Sequence, residues 1–261
     1  MLTGIDHIVV IMSDLEAAIK SYEQLGFTVV SGGRHPGGTH NALISLADGS
    51  YIELIAFYQP NSEHQWWNKL EQGGGLIDFC LRTDDLLSEI AAFRQAGIDM
   101  SDQTPGGRVR PDDYKIIWRT SMPNGRYRGV FPFLIEDETP REERVPKETK
   151  HQNGVSGIDT ITIVVDELPT ITRWYGSILR DDGQEIKRDD LDAAGVRFTI
   201  RKPGGVHGFD FVVPKNSGSP LSNWLRDRGP SPYAVTFRTA LGGKMKLLNE
   251  TNTLGPRLTQ V

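Results

Sequence analysis

The sequence predicts an α+β fold built from repeated βαβββ modules, with a degenerate C-terminal half. Three observations lead there. Gly4-Ile5-Asp6-His7-Ile8 recurs as Gly157-Ile158-Asp159-Thr160-Ile161, and in the same register Leu15 falls on Leu168, Tyr22 on Tyr175 and Leu25 on Ile178. A weaker copy lies between them, where Leu86, Ile90, Phe93 and Gly97 match Leu15, Ile19, Tyr22 and Gly26, placing Asp78 opposite His7. Each copy reads as a strand, a helix and then short strands, and an offset that holds across elements of different period marks a duplicated unit.

In the first module Ile5 to Ile11 is apolar on both faces, as expected of a strand covered by a helix on one side and lining a closed interior on the other. Ser13 to Glu16 has capping-box spacing, Leu15, Ala18, Ile19, Tyr22 and Leu25 form one helical stripe, and Gly26 is placed to end it. Strands follow over Phe27–Ser31, Asn41–Leu46 and Tyr51–Phe57, with Asp48-Gly49 as a tight turn. The second module has a helix over Asp85–Gly97 and strands over Tyr114–Arg119 and Gly129–Ile135. The third starts its helix with Pro169 in the first turn and has strands near Val196–Arg201 and Phe209–Val213. In the fourth, Tyr233–Thr239 is followed by Ala240-Leu241-Gly242-Gly243 where a helix would begin, and only Lys244–Leu248 remains as a strand. Residues 1–137 are thus expected as one domain of two modules, 138–156 as an exposed polar linker, and 157–261 as a second, abbreviated domain. Gly37-Gly38, Gly73-Gly74-Gly75, Gly106-Gly107 and Gly204-Gly205 read as turns, because none opens a helix in a phosphate-binding pattern.

With 261 residues, 38% of them hydrophobic and 24% charged, the chain can bury a full core. A net charge of -5 gives no general attraction to nucleic acid or an anionic membrane, so neither is expected as a partner. No apolar run approaches the roughly 18 residues that span a bilayer, and the N-terminus lacks an export pattern, so the expected location is cytoplasmic. The single cysteine, Cys80, sits in an apolar run; this excludes an internal disulfide and points to a buried, inert thiol in a reducing compartment.

His7 and Glu53 are the polar residues that the core strands must account for. Glu53 sits between Ile52 and Leu54, and an unpaired buried carboxylate costs several kcal/mol, so it needs a metal, a cation or a donor beside it. A structural His7–Glu53 pair meets that need as well as a metal does. Arg34, Arg108 and Arg110 occupy matching places in the two modules and suit a substrate carboxylate or phosphate, or salt bridges to Asp112 or Asp113. Trp66, Trp67 and Trp118 offer pocket walls or core packing. His35 and His40 are also consistent with loop residues bonding a Gly-rich turn, and His64, His151 and His207 read as surface residues.

Asp6-His7-Ile8-Val9-Val10 with Ser13-Asp14-Leu15, Phe27 and Tyr51-Ile52-Glu53-Leu54 resembles the vicinal oxygen chelate superfamily. Gly33 to Asn41, Arg108 to Asp112 and Trp118 resemble its glyoxalase-like domain group, well over residues 3–137 and weakly beyond. The resemblance implies modules curled into half-open barrels around a divalent metal, each module supplying a His or Gln from its first strand and a Glu from its last. That pattern maps onto His7 and Glu53, and in the second module onto Asp78 and Glu136; Thr160 and Ala234 leave the C-terminal half without a site. An oxygen-rich set of this kind favours Mn, Mg or Fe(II), while a set recruiting His40 suits Fe(II) or zinc, and Ni is a further candidate.

The implied function is a metalloenzyme of isomerase, lyase or dioxygenase type acting on a small oxygenated molecule. Glu136 and His40 are the catalytic candidates, and Arg34, Asn41, Arg110 and Trp118 the substrate-binding ones. The alternative is a metal-free protein that sequesters a small molecule, as bleomycin-resistance members of the superfamily do. The degenerate half could then act mainly as a lid or a homodimer contact, in which case truncation near Glu142 should leave a foldable fragment.

Overall fold

The computed structural model describes residues 1–202, 205–239, 246–248, 253 and 256–261. The N-terminal elements are β1 (Leu2–Ile11), α1 (Leu15–Gln24), β2 (Val30–Arg34), β3 (Thr39–Ser45), β4 (Tyr51–Phe57), α2 (Trp67–Glu71), β5 (Gly75–Thr83), α3 (Leu86–Gln95), β6 (Thr104–Val109), β7 (Lys115–Ser121), β8 (Phe133–Asp137) and α4 (Arg141–Arg144). Their eight strands close into a barrel in the order β1-β4-β3-β2-β6-β7-β8-β5. The seam between β2 and β6 is held by one residue pair, Arg34 with Val109, so the barrel is barely stitched along that edge.

A two-fold axis relates the two modules. In the antiparallel β1–β5 pair, Ile8 faces Phe79, while His7 faces Cys80 and Val9 faces Asp78. The axis exchanges those last two pairs, so Asp78 occupies the place of His7, as the repeat predicted. Carried to the closing strands, it matches Val9–Glu53 with Cys80–Phe133, and Phe133 therefore stands where Glu53 does.

Local chemistry accounts for the elements, with two differences from expectation. The cap of α1 is Asp14, whose side chain accepts from the Ala17 N–H at 3.0 Å, one residue beyond the expected Ser13. Gly106-Gly107 lies inside β6 and is not a turn: Gly106 faces Trp118, and a Cβ there would come within 2.3 Å of the indole Nε1. The glycine is needed for close approach across strands, which looks the same in sequence as a turn signal.

The C-terminal elements are β9 (Val155–Val164), α5 (Pro169–Leu179), β10 (Gln184–Arg188), β11 (Ala193–Lys202), β12 (Gly205–Pro214), α6 (Pro220–Arg228), β13 (Ser231–Thr239), β14 (Lys246–Leu247) and β15 (Arg257–Gln260). They form an open sheet in the order β10-β11-β12-β9-β13-β15-β14. Ala240–Gly243, Gly204 and part of the expected Lys244–Leu248 strand lie outside the described residues. No described helix is long and apolar enough to cross a membrane.

The two sheets share one core. Ile8, Val10 and Phe79 on the outer face of the barrel belong to the same buried cluster as Ile158, Phe209 and Phe237, and the Phe79 and Phe209 rings lie 5.8 Å apart. The segment expected as an exposed linker is part of this architecture: Arg144 is 1% exposed, and the His151 ring bonds the Thr28 N–H and the Ser45 carbonyl. His207, read as a surface residue, is fully buried; its Nδ1 accepts from the Ile5 N–H at 2.9 Å and its Nε2 meets Asp48 at 3.0 Å.

Candidate functional site

Alternation along the barrel strands decides which side chains face inward. His7 on β1, Tyr51, Glu53 and Ile55 on β4, Phe133 and Ile135 on β8 and Trp118 on β7 line a cavity of about 540 Å³, closed by Trp66 and opening past the His35–Gly37 turn. Its walls are mostly apolar, with the polar groups gathered at one end.

His7 is held from several sides. Its Nδ1 bonds the Asp6 carboxylate at 2.7 Å, its ring stacks on Tyr51 with centroids 4.5 Å apart, and Phe133 packs edge-on at 5.2 Å. With the proton on Nδ1 donated to Asp6, the Nε2 lone pair faces the cavity, 3.5 Å from Glu53 Oε2. The other Glu53 oxygen accepts from Asn41 Nδ2 at 2.6 Å and lies 3.8 Å from His35 Nε2. Two acceptors facing each other at 3.5 Å need a proton or a cation between them.

Asp6 is fully buried at the centre of an ionic network. Burial alone would raise its pKa, but the guanidiniums of Arg141 and Arg144, together with the His7 hydrogen bond, hold it well below the usual carboxylate range. Arg144 reaches Asp6 with both terminal nitrogens, at 2.8 and 3.0 Å, and also bonds Asp137 and the Tyr51 hydroxyl. The helical turn α4 thus plugs the floor of the barrel beneath His7. In REER, read as linker, the signal was the buried Asp6, which demanded a cation from elsewhere in the chain.

His35 sits in the loop leading to β3, with its Nδ1 3.0 Å from the Thr39 hydroxyl. Burial lowers its pKa to about 4, so the ring is neutral at physiological pH. The loop reading had understated it, as the surface reading did His64, which also lines the cavity.

The other expected site residues are distributed differently. Asp78 is buried and accepts from Trp66 Nε1 at 3.1 Å and from the Phe79 N–H at 2.9 Å, so the indole stands between it and the cavity. Glu136 is on the face of β8 opposite Phe133 and Ile135, where it accepts from the Leu86 N–H at the start of α3. His40 and Arg34 lie in an outer cleft beside the β2–β6 seam, both against Tyr58, and Arg110 lines the same cleft paired with Asp112 and Glu143. Of the expected set only His7, Glu53 and Trp118 line the cavity, and Asn41, which borders the outer cleft, reaches Glu53 from behind.

Among the described residues, one group brings three ligand atoms within 4.8 Å of one another, namely Asp6, His7 and Cys80. It makes a poor metal site, because Asp6 is already neutralised by two guanidiniums and burial pushes the Cys80 thiol up.

Burial also pushes the Asp78 carboxyl up to about 7, against the opposing pull of its Trp66 and Phe79 hydrogen bonds. Its folded pKa exceeds the unfolded value of about 3.9, so the associated stability is complete below pH about 4 and is lost as pH rises through 7. Asp78→Asn is therefore expected to melt above the wild type at pH 8 and to flatten the dependence between pH 4 and 7, at about 1.4 kcal/mol per pH unit. Thermal melts across that range check this.

Residues 5–179 match a family model described as a glyoxalase-like domain. A hypothetical protein from Staphylococcus aureus superposes with a TM-score of 0.71 at 16% identity, over 98% of both chains. A variant of 4-hydroxymandelate synthase from Streptomyces coelicolor superposes with a TM-score of 0.60 at 14% identity, over 92% of this chain and 72% of that one. At these identities the likeness is one of fold. No curated protein matches the chain in sequence.

Proposed function

The chain belongs to the glyoxalase-like domain family, and from that premise we propose that it is a metal-dependent enzyme acting on a small oxygenated molecule in the barrel cavity, with His7 and Glu53 as metal ligands. One observation carries this reading: His7 Nε2 and Glu53 Oε2 converge at 3.5 Å, each held from behind, by Asp6 and by Asn41. Donors on one ion with bonds of about 2.1 Å stand roughly that far apart, and a carboxylate behind a histidine is the usual second support of a metal ligand. His35, 3.8 Å from the other Glu53 oxygen, is a third donor that would have to move toward His7 to share the ion, since these three residues do not bring ligand atoms within 4.8 Å of one another; two imidazoles with one carboxylate suit Fe(II) or zinc. The residues present fit this first-module set; the four-ligand set does not fit, because Phe133 replaces the second carboxylate and Trp66 covers Asp78.

A divalent ion here would supply Lewis-acid polarisation of two neighbouring substrate oxygens. The protein's own part is positional and electrostatic. Asp6 keeps the His7 proton on Nδ1, and Asn41 orients Glu53. Glu136, on the opposite face of β8, is not placed to take up a proton from the cavity. Trp66, Trp118, Phe133 and Ile135 keep water from the polar end, where charge developing in the reaction meets a low dielectric.

Co(II) titrated into metal-stripped protein is expected to saturate near one ion per chain with visible ligand-field absorption, and His7→Ala and Glu53→Gln are expected to abolish it. A second reading, the metal-free binding protein, draws on the loss of the second-module ligands. It predicts no Co(II) spectrum in the wild type.

A further inference from the structure

We propose that the cavity holds its ligand by a carboxylate seated on Arg108, so that the molecule acted on is a carboxylic acid with an apolar body. This rests on the cavity being the substrate site, but not on the metal.

Arg108 is 4% exposed and lines the cavity. One terminal nitrogen donates to the Arg144 carbonyl, and its Nε–H has no partner. The arginines whose charges act on it are themselves paired, Arg144 with Asp6 and Asp137 and Arg110 with Asp112 and Glu143. Among the described residues Arg108 forms no ion pair. Burial pulls its pKa down, with Tyr51 and Glu53 opposing from a distance.

A buried guanidinium without a counter-charge costs several kcal/mol, as does an unmet buried N–H. The side chain lines a cavity of about 540 Å³, so an anionic ligand there supplies the missing counter-charge, and a small turn of the guanidinium would bring the covered Nε–H to it as well. The planar fork fits a carboxylate, and one unpaired cation balances one negative charge; a phosphate dianion would need a second. Trp118, Ile117, Met122, Phe133 and Ile135 make the remaining wall apolar, which defines the body of the ligand.

The test compares phenylacetate with phenylacetamide by calorimetry, in metal-stripped and metal-loaded protein. The wild type is expected to prefer the acid at least about tenfold, the worth of a charge-assisted hydrogen bond. The preference should vanish in Arg108→Met and persist in His7→Ala. Ligand-free Arg108→Met should melt at or above the wild type, because an uncompensated charge is gone. If that variant does not fold, Arg108→Lys, which keeps charge without the fork, should show a reduced preference. Equal binding of acid and amide, no binding of either, or a preference that survives in Arg108→Met or is undiminished in Arg108→Lys would overturn the proposal. A preference lost only in His7→Ala would also overturn it and assign the carboxylate to the metal. Acid preference with no metal binding would reject the metalloenzyme and leave the carboxylate site standing.

Discussion

Asp6→Asn is expected to lower folding stability by about 3–5 kcal/mol at neutral pH, the usual penalty for removing one partner of a buried ionic network. The substitution is nearly isosteric, so the loss is electrostatic. Arg144 would remain 1% exposed with only Asp137 as counter-ion, and Arg141 would keep only its longer contact to Asp137 at 3.7 Å. The pH dependence carries the same signature. The folded-state pKa of Asp6 lies below its unfolded value of about 3.9, so its contribution is complete above that pH, declines below it, and is gone only once pH has fallen through the folded value. The wild-type stability curve should therefore turn down below pH about 4, and the variant should lack that component. Urea denaturation from pH 3 to 8 reads both effects. The variant should also weaken any ligand bound at His7 Nε2, because an amide can hold either imidazole tautomer.

Removal of everything after Lys150 is expected to leave a fragment that does not fold on its own. Like a cut near Glu142, which the reading of the C-terminal half as a lid or dimer contact would allow, it would uncover Ile8, Val10, Phe79 and Leu81 along the outer face of β1 and β5, and would strip the Ile5 N–H of its His207 partner. At about 1.5–3 kcal/mol per buried apolar side chain, a handful of such losses equals the 5–15 kcal/mol that holds a domain together. Soluble expression, near-UV circular dichroism and dye binding distinguish the outcomes. A monomeric fragment with a cooperative melt would mean that the barrel is independent of its partner sheet.

The repeat was legible because strand and helix periods survive in the first three copies, and the two-fold register of β1 and β5 confirms the alignment of Asp78 with His7. Glu136 was misplaced because the closing strand of the second module contains one carboxylate near the right position and alternation puts it on the wrong face, whereas the true counterpart, Phe133, carries no chemical flag. His40 and His35 flank the same turn, and only the strand register decides that His40 points outward and His35 reaches Glu53. Arg144 was hidden for a different reason: a charged residue in a charged run reads as solvated, and burial of this kind is created by distant strands, which also single out Arg108 from Arg34 and Arg110. Glu53 was readable because a carboxylate inside an apolar strand must find a donor, which proved to be Asn41, and Asp6 on β1 carries the same signal for Arg144.

Metal content per chain, measured in protein purified without chelator or affinity-tag metal, tests the central claim most directly. Near one equivalent in the wild type, retained in Asp78→Asn and lost in both His7→Ala and Glu53→Ala, is the predicted result. A wild type that stays free of metal after incubation with Fe(II), Mn, Zn and Ni would contradict it, and the barrel would then be a binding site without metal chemistry.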